Sequence, residues 1–215
     1  MGNVVMHNVV SVDGFIADDD DQVGPLFDWY GNGEHTLAAD REGTTGQLRV
    51  SKASLEYVEP TWAAIGAMVV GRHLFDMTNG WEGRPPAGEH VVVVSHRPKP
   101  EGWHPEASYF FVDDVAAAVT KAKELAGEGT VAVAAGDVGG QALASGLVDE
   151  VAMDVVPVVF GSGPPAPGGL RPAGVLSPSA VRPVPRGRPG TWRARGLPGS
   201  PCPDPSRAVV LANRP

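Results

Sequence analysis

The chain has 215 residues, a formal net charge of −8 and one cysteine, Cys202. That single thiol excludes an intrachain disulfide and a cysteine-built zinc site, no apolar stretch approaches the ~20 residues of a membrane span, and the acidic body argues against nucleic acid as the main partner. With no signal-peptide pattern at the N-terminus, the expectation is a cytoplasmic protein with no metal site and neither membrane nor nucleic acid as partner.

Residues 3–10, NVVMHNVV, are β-branched and mostly apolar and predict a buried strand. The strand runs into Ser11-Val12-Asp13-Gly14. This reads either as an ordinary Asp-Gly turn or as small and acidic groups set at the carboxyl edge of a sheet, where ligands of open α/β folds sit. The acidic run 18–21 predicts a solvated loop. Residues 25–30, PLFDWY, place one carboxylate, Asp28, among aromatic rings. Such a cluster either stacks on a planar heterocycle that Asp28 hydrogen-bonds, or anchors a loop to the core.

Residues 51–57 read as a helix that Pro60 interrupts before 61–65 resume it. A short buried strand at 67–70 ends in Gly71-Arg72-His73. A following helix N-terminus would favour an anion there and Arg72 would add a bidentate phosphate partner; equally, Arg72 could be a surface ion pair and His73 a surface residue of the first turn. Residues 90–95, HVVVVS, form the third strand, and Ser95-His96-Arg97-Pro98 repeat the theme of a hydroxyl and a cation at a strand's carboxyl end. A fourth strand at 108–112 leads to Asp113 or Asp114 as cap of a helix whose Val115, Val119, Ala122 and Leu125 recur at helical spacing.

The stretch 130–160 combines two β-rich runs with a glycine-rich helix between them. The first run, 131–135, ends at Gly136; Asp137 is placed to cap the helix, Val138, Ala142 and Leu143 form its apolar stripe, and Gly146 suits a left-handed C-terminal cap. Gly139 and Gly140 each lose about 1 kcal/mol of helix propensity relative to Ala, which implies that a phosphate or a neighbouring strand comes close to the backbone. Strands and helices thus alternate five times. The pattern predicts a mainly parallel sheet covered on both faces, with an anionic ligand, a dinucleotide being the natural candidate, along its carboxyl edge. Ala134-x-Gly136-x-x-Gly139 lacks the first glycine of the Rossmann fingerprint and follows the fourth strand, with Asp154 in mid-strand, so a Rossmann-type dehydrogenase is a poor fit.

Taken together, VSVDGFIA, VVGRH, VVVVSHR, AAGDVGGQALASGLVDEV and VVPVVFGSG resemble, in order and spacing, the dihydrofolate reductase-like superfamily. The likeness covers residues 3–163 and is greatest to bacterial proteins similar to the reductase domain of bifunctional riboflavin-biosynthesis deaminase/reductases. It implies an α/β fold of three layers around a mostly parallel sheet, and an NADPH-dependent reductase that transfers hydride to a pteridine-, pyrimidine- or imine-type small molecule. It further implies that Gly71, Arg72, His73 and the turn of Ala135, Gly136, Asp137 and Val138, with Gly139, hold the phosphates. Ser95, His96 and Arg97 would lie near the adenosine 2′-phosphate, and Ile16 and Ala17, with Ser11, would line the nicotinamide. Alanines replace two glycines common at the turn, and Asp137 stands where relatives can carry a residue friendlier to phosphate. Asp28 is the first candidate for the carboxylate that orients substrate and supplies a proton, Asp13 the second. A nucleotide-binding protein of the same fold without turnover is the alternative, and a homodimer is a candidate assembly.

After residue 163 the composition changes: 13 of the 21 prolines and eight arginines fall in the remaining tail, 164–215, with no lysine. Such a segment is expected to be disordered or polyproline-like, as an out-of-frame translation or as a basic arm for an anionic partner. The strand at 150–160 is then expected to keep one edge unpaired.

Overall fold

The computed structural model describes residues 2–37, 48–166, 181–183 and 208–212. In chain order the elements are β1 (Val4–Ser11), a 3-10 turn (Gly24–Tyr30), β2 (His35–Thr36), β3 (Arg49–Val50), α1 (Lys52–Ala63), β4 (Ile65–Gly71), α2 (Arg72–Thr78) and a second 3-10 turn (Asn79–Gly83). There follow β5 (His90–Val94), β6 (Tyr109–Val112), α3 (Val115–Ala126), β7 (Thr130–Val133), α4 (Gly136–Ala144), β8 (Glu150–Val156), β9 (Val181–Pro183) and β10 (Ala208–Ala212). The main sheet runs β6-β5-β4-β7-β1-β8-β10-β9. All pairs from β6 to β8 are parallel, whereas β10 lies antiparallel to both β8 and β9.

The valine-rich strands are buried on both faces, as parallel strands must be. Val4, Met6, Val69, Val92, Val131 and Val133 pack against α3 and α4. On the other face Val9 and Val156 meet Leu26, Trp29, Tyr30 and Val58, and Val70, Val91 and Val93 meet Phe75 of α2. The result is three layers, the expected α/β class. No helix among the described residues is long and apolar enough to cross a membrane.

Several boundaries differ from the sequence reading. Pro60 does not break α1, which continues to Ala63; only the last turn lies beyond it, and the Thr61 hydroxyl donates to the Tyr57 carbonyl at 2.8 Å. Asp137 does not cap α4. The turn through Gly136, at φ +75°, leaves extended Ala135 in the cap position with no side-chain bond, so Asp137 is an exposed residue of the first turn. Gly146 does close α4 in the left-handed conformation, its N–H donating to Leu143 and that of Leu147 to Ala142. Asp114 is the cap of α3, accepting from Ala117 N at 2.7 Å. No helix joins β5 to β6; residues 95–108 pack instead through Trp103, which meets Phe75 and Tyr109 edge-on.

β8 ends at Val156 because Pro157 has no N–H to continue the ladder. Its outer edge is not left unpaired: Ala208–Ala212 runs along it from Asp154 to Glu150. AVVLA is a β-rich island in the proline-rich tail, and β9 places Pro183 on an edge strand, where proline is tolerated. The expectation of a disordered or frame-shifted tail otherwise falls on residues outside the described ones.

Gly139 is spent on packing. A Cβ there would lie 2.6 Å from the Ala134 carbonyl oxygen and 2.8 Å from Met6 Sδ. Of the two causes the sequence left open, the neighbouring strand is the one present. Gly139→Ala would gain about 1 kcal/mol of helix propensity but incur about 1–3 kcal/mol of overpacking against a backbone atom that cannot yield. A net destabilisation of up to about 2 kcal/mol is expected, read as a lower urea midpoint.

Candidate site at the carboxyl edge of the sheet

The six parallel strands deliver their carboxyl ends to one edge, where the ends of β4, β7 and β1 stand side by side. A Cβ on Gly71, at the end of β4, would meet Val138 Cγ2 at 3.3 Å, and one on Gly136 would meet Ile16 Cδ1 at 3.8 Å. Ile16, Gly71, Gly136 and Val138 are therefore one contiguous patch. It is made of bare backbone and short apolar side chains beside the amino end of α4, which has no side-chain cap. First-turn amides of this kind favour an anion. Ala135 stands at the cap itself. Ala17 is not part of this surface: it is 3% exposed, and its carbonyl oxygen would lie 2.2 Å from a Cβ on Gly163. Gly139 lies on the buried face of α4.

The cations expected at the edge are already paired. Arg72 Nε donates to Asp76 Oδ1 at 2.7 Å and its Nη1 to the Pro98 carbonyl at 3.2 Å, while the guanidinium lies over the Phe75 and Phe111 rings. Arg97 Nη2 donates to Asp76 Oδ2 at 2.8 Å. Two guanidiniums thus share one carboxylate, and the Arg72 hydrogen bond is the foremost reason that the Asp76 pKa falls below its ordinary value. His73 Nε2 pairs with Asp21. Ser95 is a turn residue: its hydroxyl accepts from Arg97 N at 2.9 Å and donates to the Arg97 carbonyl at 2.7 Å. His96 is exposed.

The two carboxylates expected to act on substrate are placed very differently. Asp28 sits on the 3-10 turn with its side chain exposed, while Leu26, Trp29 and Tyr30 beside it are buried. The aromatic cluster is thus mostly core, with Phe27, 45% exposed, stacked on Tyr30. Asp13 is a clasp. Its Oδ1 accepts from the Ser11 hydroxyl at 2.7 Å and from Phe160 N at 3.3 Å, and its Oδ2 from Gly161 N at 2.7 Å. These donors, Ser11 first, hold its pKa below the ordinary value, which makes it an acceptor and not a proton donor at neutral pH. Ser11 is in turn used up, accepting from Phe15 N at 2.9 Å.

Asp13 belongs to a strap. The segment after β8 is tied to the loop after β1: Val12 N donates to Val158 O at 2.8 Å, and about an antiparallel bridge of Phe15 with Pro165, Ile16 N donates to Pro164 O at 3.0 Å and Ala166 N to Gly14 O at 2.9 Å. The Ser162 hydroxyl adds a bond to Asp19. The acidic run expected as a solvated loop is therefore anchored at both ends, by Asp19 to this strap and by Asp21 to α2.

Sequence reasoning missed Asp76, although Arg72 and Asp76 stand at i,i+4 on α2, a spacing that signals a pair. It also missed a polar trio beneath the edge. His7 Nε2 lies 3.0 Å from Asp154 Oδ2, and Tyr57 stands near enough to feel the same carboxylate. Burial, with Asp154 beside them, pushes both Tyr57 and Tyr30 above the ordinary phenol range.

No protein-family model matches the chain, and no curated protein is matched by it. Solved structures do match. A putative riboflavin biosynthesis protein from Shewanella sp. PV-4 superposes with a TM-score of 0.53 at 18% identity, over 100% of each chain. A diaminohydroxyphosphoribosylaminopyrimidine deaminase/5-amino-6-(5-phosphoribosylamino)uracil reductase from Thermotoga maritima gives a TM-score of 0.57 at 14% identity, over 98% of this chain and 56% of that one. The chain thus shares its fold with these two proteins, a parallel sheet between layers of helices as the sequence resemblance implied.

Because the Asp13 carboxyl is stabilised in its ionised form, its contribution to stability is present above the ordinary pKa of 3.8 and is lost as pH falls through the lower folded value. Asp13→Asn is expected to be less stable than wild type at pH 7, with the gap closing below that value. Urea unfolding at both ends of the range checks it.

Proposed function

We propose that the chain is a reductase that uses NADPH to reduce a small heterocycle or imine. The observation that carries this reading is the convergence of Ile16, Gly71, Gly136 and Val138 beside the uncapped amino end of α4. A flat ring needs a smooth apolar floor, a pyrophosphate needs unpaired amides at close range, and the two glycines leave the space that side chains would fill.

In this reading the α4 amides and the Ala135–Gly136 turn hold the pyrophosphate, Ile16 lies against the nicotinamide, and Arg97 faces the adenosine end. The cofactor supplies hydride. The protein excludes water, orients the acceptor and manages a proton. Asp13 serves by holding the loop that carries Ile16, since its oxygens already accept three hydrogen bonds. Asp28, exposed beside Phe27, is the carboxylate left to orient a substrate, with Phe27 as a stacking surface.

A second reading, a nucleotide-binding protein without turnover, is favoured by the pairing of Arg72, Arg97 and His73 with aspartates. Titration of the full chain with NADPH, followed by energy transfer from its tryptophans, tests binding. Oxidation of NADPH in the presence of dihydrofolate and riboflavin-precursor substrates then tests turnover. Binding with turnover supports the reductase, binding without turnover on any of these substrates supports the alternative, and no binding overturns both.

Asp137 adds a test with opposite signs. Its carboxylate suits the positive end of α4 but repels a phosphate brought there. Asp137→Asn is expected to lower the thermal midpoint slightly while tightening NADPH binding about two- to fivefold.

A further inference from the structure

We propose that Asp76 is a built-in counter-anion that weakens the preference of the carboxyl edge for a phosphorylated dinucleotide over its unphosphorylated form; this rests on the dinucleotide reading of the site. The two guanidiniums that meet Asp76 are not equivalent. Arg72 is 17% exposed, held by Asp76, by the Pro98 carbonyl and by two aromatic rings, so its donors are largely committed within the protein. Arg97 is 65% exposed and reaches Asp76 through Nη2, which leaves the rest of its fork facing solvent. Arg97 is therefore the arm available to a ligand, and Asp76 is the acceptor that a ligand must rival.

The competition is geometric as well as electrostatic. Asp76 spans the two arginines with one oxygen to each, at 2.7 Å and 2.8 Å, the arrangement that a bridging phosphate would otherwise take. An arriving phosphate dianion must either displace the carboxylate from Arg97 or remain beside a like charge. The Arg72 bond, the first cause of the lowered Asp76 pKa, keeps the carboxylate ionised across the neutral range, so the repulsion is constant there. His73, next to Arg72 on the same helix, is tied to Asp21, so it does not offset the negative charge.

NADPH and NADH differ by one phosphate monoester, so the ratio of their affinities isolates what that phosphate gains. The full chain and its Asp76→Asn, Asp76→Glu and Arg97→Gln variants are titrated with each dinucleotide by tryptophan energy transfer at low and moderate salt, with thermal midpoints as a check on folding. Asp76→Asn is expected to raise the NADPH-to-NADH affinity ratio about three- to tenfold, less at higher salt. Asp76→Glu should keep the wild-type ratio, and Arg97→Gln should lower it. If the wild type binds both dinucleotides but neither Asp76→Asn nor Arg97→Gln changes the ratio, the assignment of Asp76 is overturned and the cofactor reading stands. An equal gain for NADH in Asp76→Asn overturns it as well. If neither dinucleotide binds the wild type or any variant, both readings fall.

Discussion

Met6 on β1 and the Ala134 carbonyl come so near the axis of α4 that only a hydrogen fits at residue 139. This close approach sets the depth of the helix on the sheet, and the depth determines where its amino end points. Gly136 turns the chain sharply after β7, so α4 starts at the level where β4 ends and meets the loop from β1. A helix raised by the thickness of a methyl group would carry Gly136 and Val138 away from Ile16 and Gly71. The apolar floor and the row of free amides therefore share one cause, a packing constraint buried well below them.

Above that floor the edge is governed by carboxylates. Asp13, Asp19 and Asp21 fix the loop after β1 to the strap, to β8's exit and to α2, and Asp76 bridges two arginines. Surface ion pairs of this kind contribute little to stability one at a time. Their effect lies in position: each commits a loop or a cation to one geometry before any ligand arrives. An edge organised by acids is also less attractive to phosphate than the same side chains without them, which pulls against the anion preference of the α4 amides.

The layered sheet was legible because its causes are local and periodic. Runs of valine ending at Gly71, Ser95 and Gly136 can hardly be anything but buried parallel strands, and Asp114 and Gly146 mark helix ends by their own chemistry. The candidate site was legible in part. Gly71, Gly136, Val138 and Ile16 do meet, since strand ends in a parallel sheet must gather at one edge. Ala17, Gly139 and Asp13 each face a partner distant in sequence, Gly163, Met6 or Gly161, that no spacing rule supplies, while Ser11 is taken by its neighbours Asp13 and Phe15. Proline was over-weighted twice. At residue 60 the helix continues through it to Ala63, and at 183 it lies on an edge strand, where a missing N–H is tolerated.

A sheet whose strands read VVMHNVVS, HVVVV and EVAMDVV has little in its apolar side chains to distinguish one register from the next. His7 and Asp154 supply the distinction between β1 and β8. Shifting β1 by one residue would turn His7 onto the face of Val4 and Met6, among α3 and α4, and leave Asp154 without its partner. Shifting it by two toward Glu150 would keep the face but carry the imidazole away from Asp154, beyond hydrogen-bonding reach. Either slip strands a carboxylate that is 7% exposed, and an uncompensated buried charge is far costlier than a displaced valine. Tyr57 brings α1 into the same neighbourhood, since Asp154 is among the causes that raise its pKa. Because β1 also positions the loop that bears Ile16, the trio buried below the edge helps to set the alignment of the edge itself.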